Sequence, residues 1–332
     1  MAVGETAGVV PIIDFSPYYS KDSTHRKAVG DEIFNAMKTV GFVYLKNHGI
    51  PKGLQEECFA WSKRFFALPM EEKMKCPHPP NGWHHRGYSG IGKEKVSQME
   101  FDEEILKEIR KVPDVKESFD MGAEFEDYWN IWPDEKAIPG FREFLCRYHN
   151  ENHEVAMRVL RAIALGMGLD ESFFDAYHTE KNNQVRLLHY PATDDKALRN
   201  MDAFRIGAHS DFGTMTMVMQ DECGGLEVED PHVPGLFHPA PYIEDTLVIN
   251  IGDFLMRWSN DVLKSTLHRV RGPTLESSDG VSQPRYSIPY FIVTNWDCEI
   301  DALPGSWSEE NPKRYEPITT RDYIFKRLNA TY

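Results

Sequence analysis

Two histidines and a carboxylate carry the strongest chemical signal in the chain. His209-Ser210-Asp211 supplies two candidate ligands at i and i+2, and His268 follows downstream. On a strand, i and i+2 point to one face, so His209 and Asp211 are expected to grip one ion from a single strand. His268, in the strand-like run 265–270, would reach it from a neighbour. Two histidines and one carboxylate on one side of a metal form the facial triad of non-haem iron(II) oxygenases. Three protein ligands leave open positions for a bidentate cosubstrate and O2. The H-x-D pair alone is a weak signal, because a turn aspartate beside a surface histidine looks the same. A third element follows His268. Arg285 and Ser287 also stand at i and i+2, and a guanidinium and a hydroxyl aimed at one point suit a carboxylate.

The elements that must position these groups fall into two halves. The N-terminal half reads as a short strand at 9–15, a helix at about 26–39, a strand at 41–45 and a helix at about 54–66. Apolar residues at Val29, Ile33 and Met37 have helical spacing. The stretch 76–140 is rich in Pro, Gly and Trp with weak periodicity, and is expected to be a functional loop region or lid. His84 and His85 within it are expected at the surface or in that lid. A long helix is predicted over 141–167. From 185 onward the pattern becomes short β-rich runs at 185–190, 214–219, 226–228, 246–250, 266–270 and 286–293, which suggest a sandwich or barrel.

Taken in order, His209-x-Asp211, His268 and Arg285-x-Ser287 resemble the 2-oxoglutarate/iron(II)-dependent dioxygenases of the isopenicillin N synthase-like branch. The resemblance extends through Gly41-Phe42-Val43-Tyr44-Leu45, Gly224-Gly225-Leu226, Asn250-Ile251-Gly252-Asp253 and Arg257-Trp258-Ser259. Within that branch, Arg86-Gly87-Tyr88, Glu94-Lys95-Val96, Lys116-Glu117-Ser118 and Arg186-Leu187-Leu188-His189-Tyr190-Pro191 are similar to the fungal thymine dioxygenase-like and secondary-metabolite dioxygenases. The implied fold is mainly β with surrounding helices: a double-stranded β-helix (jelly roll) core and a helical N-terminal region. The implied organisation is one compact unit, with an N-terminal module over 1–140 and a long helix plus catalytic jelly roll over 141–332. Two departures stand out. Leu188 occupies a position where many members carry Asn, and the interval between His268 and Arg285 is longer than usual, with the extra length in 276–284.

The resemblance implies iron(II), with 2-oxoglutarate and O2 as cosubstrates. His209, Asp211 and His268 would hold the metal, and Arg285 and Ser287 the distal carboxylate of 2-oxoglutarate. Tyr190 would bond the same cosubstrate. Arg186, Phe212 and Phe291 would face the substrate, although an arginine of this kind also suits a structural ion pair and strand aromatics also suit plain core. The expected reaction is oxidation of a small ring-bearing molecule in fungal secondary metabolism, with the methyl group of a pyrimidine as the alternative. Three other classes share part of this signal: a same-fold oxidase without 2-oxoglutarate, a zinc hydrolase and a non-catalytic β-sandwich. His149 and His153 have zinc-ligand spacing on a helix, but the general base expected beside them is displaced by one residue.

The 37 basic and 52 acidic side chains leave a net charge of −15, which argues against a nucleic-acid surface. No apolar run is long enough to span a membrane, no obligate protein partner is evident, and no targeting signal is visible. Five scattered cysteines without a C-x-x-C pair fit a reducing compartment. The expected address is therefore cytoplasmic.

Overall fold

The computed structural model describes residues 6–80, 84–94, 114–125, 128–194, 196, 198, 205–272 and 280–329. Among them, two antiparallel-rich sheets face each other. With β1 at Thr6–Ala7, β2 at Val10–Asp14, β10 at Phe237–Pro239 and the others as given next, the larger has nine strands in the order β1-β2-β3-β11-β8-β13-β6-β5-β4, and the smaller has four in the order β10-β9-β12-β7. The strands that matter below are β3 (Phe42–Lys46), β4 (Gly87–Ser89), β5 (Glu117–Gly122), β6 (Gln184–Tyr190), β7 (Ile206–His209), β8 (Met215–Gln220), β9 (Leu226–Glu229), β11 (Thr246–Ile251), β12 (His268–Val270) and β13 (Arg285–Ile292). This is the expected jelly roll with helices around it.

Strand alternation divides the large sheet into two faces. Met215, Met217 and Met219 of β8, Leu247, Ile249 and Ile251 of β11, and Ile288, Tyr290 and Ile292 of β13 join the larger apolar core. That core includes helices α1 (Ser23–Thr39), α2 (Lys52–Phe66) and α4 (Phe141–Gly166); a short α3 (Met70–Lys73) follows α2. The intervening residues of the same strands point the other way, toward the small sheet. Leu188, Tyr190, Val228, Val248 and Val270 form a second apolar cluster there.

The helical layer is drawn in tightly at one point. A Cβ on Gly166 would lie 2.2 Å from the Gly30 carbonyl oxygen, and one on Gly30 would lie 2.6 Å from that of Ala162. No side chain fits at this crossing, so α1 and α4 meet backbone to backbone. Helix α1 starts on Asp22, whose carboxylate accepts from the Thr24 amide at 2.8 Å.

The stretch expected to be a loop or lid contains two strands of the large sheet. β4 and β5 pair antiparallel, and β5 pairs with β6 along its whole length. Its pattern was hidden because β5 buries charges as well as apolar groups. Glu117 is satisfied by Lys73 at 2.8 Å, by the Tyr88 hydroxyl at 2.6 Å and by His189 Nδ1 at 2.7 Å. Glu117 shares a face with Phe119 and Met121 while Ser118 and Asp120 take the other, so both faces of this buried strand carry polar groups and no clean apolar period shows. His84 and His85 are buried, not at the surface. Tyr88 is core, while Trp129 is exposed. Trp83, 95–113 and residues 276–279 of the 276–284 turn lie outside the described residues. Two further helices close the structure, α5 (Asp253–Trp258) and α6 (Thr320–Asn329).

Three histidines are locked in the neutral form by this packing. Burial depresses His48, His149 and His178 to about 4 each. His149 Nε2 lies 3.1 Å from the Asn183 carbonyl, and His178 Nδ1 lies 2.8 Å from that of Phe174. His153 Nδ1 is within 3.0 Å of the Asn183 amide nitrogen. The pair at zinc-ligand spacing therefore serves the core. The unfolded chain takes up these protons near pH 6.5 and the folded chain only near pH 4. Stability is thus full above about pH 6.5 and falls as pH drops toward 4, each group contributing up to about 1.4 kcal/mol per pH unit. Thermal melts from pH 7.5 to 4.5 should show a steep, reversible fall in Tm. A Tm that stays flat through that window would show that these rings can be charged in place.

Candidate active site

The pairing of β7 with β12 sets the centre. His209 and His268 are cross-strand partners, with ring centroids 4.3 Å apart. β7 ends at His209, so Asp211 does not share a strand with it as expected. Asp211 lies in the turn that follows, and that turn is held by backbone bonds. The Asp253 amide donates to the Asp211 carbonyl at 2.8 Å and the Phe254 amide to that of Gly213 at 3.2 Å. The result is the grouping the sequence suggested. One ligand atom from each of His209, Asp211 and His268 lies within 4.8 Å of the others.

Each group is aimed from behind. His209 Nδ1 is 2.8 Å from the Gly207 carbonyl and His268 Nδ1 is 3.2 Å from that of Thr266. A ring nitrogen against a carbonyl must carry the proton, which leaves Nε2 as the lone-pair donor. Asn250 of β11 donates to Asp211 Oδ2 at 2.8 Å. Burial pushes His209 down to about 3, with the His268 charge adding to the effect. Burial would raise Asp211, but His268, His209 and hydrogen bonds from Thr216 and Asn250 outweigh it and keep the carboxyl below its usual range. Two imidazoles and a carboxylate, buried together, form a donor set that suits iron(II).

A cavity of about 140 Å³ opens beside the triad between the two sheets, so what enters it is a small molecule. On one wall Arg285 and Tyr190 are register partners on β13 and β6. The Arg285 Nε donates to the Gly224 carbonyl at 2.6 Å and Nη2 to Gln220 Oε1 at 3.3 Å. Its Nη1 has no partner among the described residues, and neither has the Tyr190 hydroxyl. Burial pushes Tyr190 up to about 12, so the phenol keeps its proton. Ser287 shares the face, its hydroxyl 3.4 Å from the Met219 carbonyl. A fully buried guanidinium without a carboxylate lacks its natural partner, and a dicarboxylate supplies one.

The other expected residues also line the cavity. Arg186 has its guanidinium committed: Nε to Asp120 at 2.6 Å and Nη1 to Glu94 at 2.7 Å. Phe291 has the Arg186 guanidinium 5.9 Å from its ring, and Phe212 has that of Arg327 at 4.3 Å. Leu188 lines the cavity too. Sequence reasoning did not single out Glu94 or Lys116 as site residues, although both sit on the wall. Both stand in segments that resemble the fungal dioxygenases, Glu94-Lys95-Val96 and Lys116-Glu117-Ser118, but that resemblance gave them no role. It also missed helix α6, whose Ile324 and Leu328 reach the cavity.

Helix α6 fastens the Asp211 turn. Arg327 pairs with Asp253, which accepts from Ser210 Oγ at 2.9 Å. Both charged partners are buried. Arg327→Met should therefore cost about 3–5 kcal/mol, because Asp253 is left as an unpaired buried charge. The double variant Arg327→Met/Asp253→Asn should recover part of the loss. Urea denaturation reads both, and a single variant as stable as the unaltered chain would show the pair to be dispensable.

The likeness to known proteins runs along the whole chain. Residues 10–135 match the model for the non-haem dioxygenase in morphine synthesis N-terminal region, and residues 181–294 match that for the 2OG-Fe(II) oxygenase superfamily. The chain is 38% identical to the proline hydroxylase buaE of Petromyces alliaceus, over 96% of this chain and 98% of that protein. It is 37% identical to the 2-oxoglutarate-Fe(II) type oxidoreductase ppzD of Metarhizium majus, over 97% and 95%. The crystal structure of a full-length Neurospora crassa enzyme in complex with alpha-KG superposes with a TM-score of 0.88 at 40% identity, covering 97% of this chain and 96% of that one. Whole-length identity at this level, on a jelly roll with a His-Asp-His cluster at its centre, makes the chain a member of the 2OG-Fe(II) oxygenase superfamily and a 2-oxoglutarate- and iron(II)-dependent dioxygenase.

Proposed function

We propose that His209, Asp211 and His268 hold the iron, that Arg285, Ser287 and Tyr190 hold 2-oxoglutarate, and that the enzyme hydroxylates a small ring-bearing molecule in fungal secondary metabolism. The observation that carries this reading is the pair of orphaned buried groups, Arg285 Nη1 and the Tyr190 hydroxyl, in the cavity that the triad also borders. Both are donors, and the distal carboxylate of 2-oxoglutarate is an acceptor. When bound, the iron activates O2: one oxygen atom ends in succinate as 2-oxoglutarate loses CO2, and the other enters a C–H bond of the substrate. The protein's part is to place that C–H bond and exclude water. Arg186, Phe212 and Phe291 form the substrate walls, with the two aromatic rings suited to the faces of a ring.

The relatives support a ring-bearing substrate without fixing which. One is named a proline hydroxylase. The Neurospora crassa enzyme was also crystallised in complex with alpha-KG and thymine, and in that form it is 39% identical with a TM-score of 0.88. Oxidation of a pyrimidine methyl group is therefore the second reading. A cytoplasmic address fits the five cysteines, none of which is paired in a disulfide.

His209→Ala/His268→Ala should lose the single bound iron and all turnover. If that variant still binds one iron per chain with unchanged affinity, the metal lies elsewhere. Arg285→Ala removes a charge-assisted contact worth on the order of 1.5–3 kcal/mol, so the KM for 2-oxoglutarate should rise by about ten- to over a hundredfold. Ser287→Ala should cost less. Oxygen-dependent succinate release measures both, and it also separates this enzyme from an oxidase that dispenses with 2-oxoglutarate. An unchanged KM in Arg285→Ala would remove that residue from the cosubstrate site.

A further inference from the structure

Glu94 and Lys116 form an unusual pair on the cavity wall. Glu94 follows β4 and Lys116 immediately precedes β5, and their side chains are 4% and 2% exposed, as buried as the core. Buried charges at this level are held by full sets of partners, and these two lack them. Lys116 Nζ and Glu94 Oε2 stand 3.1 Å apart as an ion pair, but the approach is too oblique for a hydrogen bond. Neither atom makes one to any described residue. The other Glu94 oxygen accepts from Arg186 Nη1 at 2.7 Å.

The neighbours fix these two groups in place. Arg186 is anchored on Asp120, which also accepts from Gln184 Nε2 at 2.7 Å. Its Nη2 lies 3.1 Å from His85 Nδ1. Burial would raise Glu94, but Arg186 and Lys116 outweigh it and hold the carboxyl ionised. Glu94 and Lys116 line the same cavity as His209, Asp211 and His268. What remains is an acceptor oxygen beside an ammonium donor, both buried, on two residues that line the cavity where substrate must lie.

We propose that Glu94 and Lys116 read the substrate by a donor–acceptor edge: Glu94 Oε2 takes an N–H or ammonium, and Lys116 Nζ takes an adjacent carbonyl or carboxylate oxygen. The proposal rests on the reading of this cavity as the substrate site of the dioxygenase. It narrows the ring-bearing substrate to a nitrogenous one. That chemistry has two sources, the ammonium and carboxylate of a cyclic amino acid and the N–H/C=O edge of a cyclic imide. A purely carbocyclic ring has neither group, and would leave two buried polar atoms unmatched, which specific sites penalise heavily.

Calorimetry without oxygen tests this on the full-length enzyme with iron(II) and 2-oxoglutarate bound. The probes are L-proline and thymine, each against a counterpart lacking the N–H, cyclopentanecarboxylate and 1,3-dimethylthymine. One N–H-bearing probe should bind in preference to its counterpart. Glu94→Gln and Lys116→Met should each weaken that binding by about ten- to a hundredfold, while the affinity for 2-oxoglutarate stays as in the unaltered chain. Which probe binds names the source. Glu94 also holds Arg186, so if Glu94→Gln does not fold, Lys116→Met carries the test alone. Equal binding of the blocked compounds, undiminished binding in Lys116→Met, or no binding of either N–H-bearing probe overturns the proposal. Failure of the cosubstrate reading shows separately, as an Arg285→Ala enzyme that binds 2-oxoglutarate normally.

Discussion

His209 and His268 face each other because β7 and β12 pair antiparallel in one register, and the rest of the site is arranged around that pairing. A slip of one residue in either strand would turn that strand's ring to the outer face of the small sheet. The register is held from the other side, where His268 also pairs with Val228 of β9. Asp211 cannot come from the ladder, since β7 has already ended, so a separate device brings it in. The turn after His209 is bonded to the start of α5, and α5 is tied to α6 through Asp253 and Arg327. A C-terminal helix far away in sequence thus fixes the third member of the triad, and its apolar residues close the same cavity.

The opposite wall follows a different logic. The large sheet turns mostly apolar residues to the helical core and a mixture of apolar and polar ones to the cavity. Burying Arg285, Arg186, Lys116 and Glu94 together is costly in a low-dielectric interior unless each finds a partner. Arg186 finds two carboxylates within the chain. Among the described residues Arg285 finds only neutral acceptors, and the Lys116–Glu94 pair leaves hydrogen-bonding capacity over. The groups that the fold itself satisfies are structural, and those left incomplete mark where ligands belong. On that ground the proposed sites for the cosubstrate and the substrate lie on different parts of one wall, the first at Arg285 and Tyr190, the second at Lys116 and Glu94.

The same distinction explains what could be read from the amino-acid sequence. His209-x-Asp211, His268 and Arg285-x-Ser287 were legible because a few residue types in fixed order carry a specific chemistry. The strands 185–190, 226–228 and 246–250 were legible because their apolar residues follow the pleat. β5 was not, since Glu117 and Asp120 are charged, buried and satisfied by residues as distant as Lys73 and Arg186. No local window contains those partners. Arg186 illustrates the limit. Its type and position fitted a substrate contact and an ion pair equally, and only the placement of Glu94 and Asp120 shows that its charge is already matched.

Selectivity in such an enzyme depends on which C–H bond the bound substrate presents to the metal. Aromatic walls alone would hold a ring at the right height but leave it free to rotate in its own plane. Phe212 and Phe291 therefore cannot choose a carbon by themselves. A fixed donor and a fixed acceptor on the rim remove that freedom, because an N–H and its neighbouring oxygen can meet Glu94 and Lys116 in one orientation only. The iron site supplies reactivity that is indifferent to the substrate, so regiochemistry has to come from the wall. In this protein that wall is built from the segments around β4 and β5, outside the strands that carry the triad. Change there can redirect the oxidation while His209, Asp211, His268 and Arg285 stay as they are.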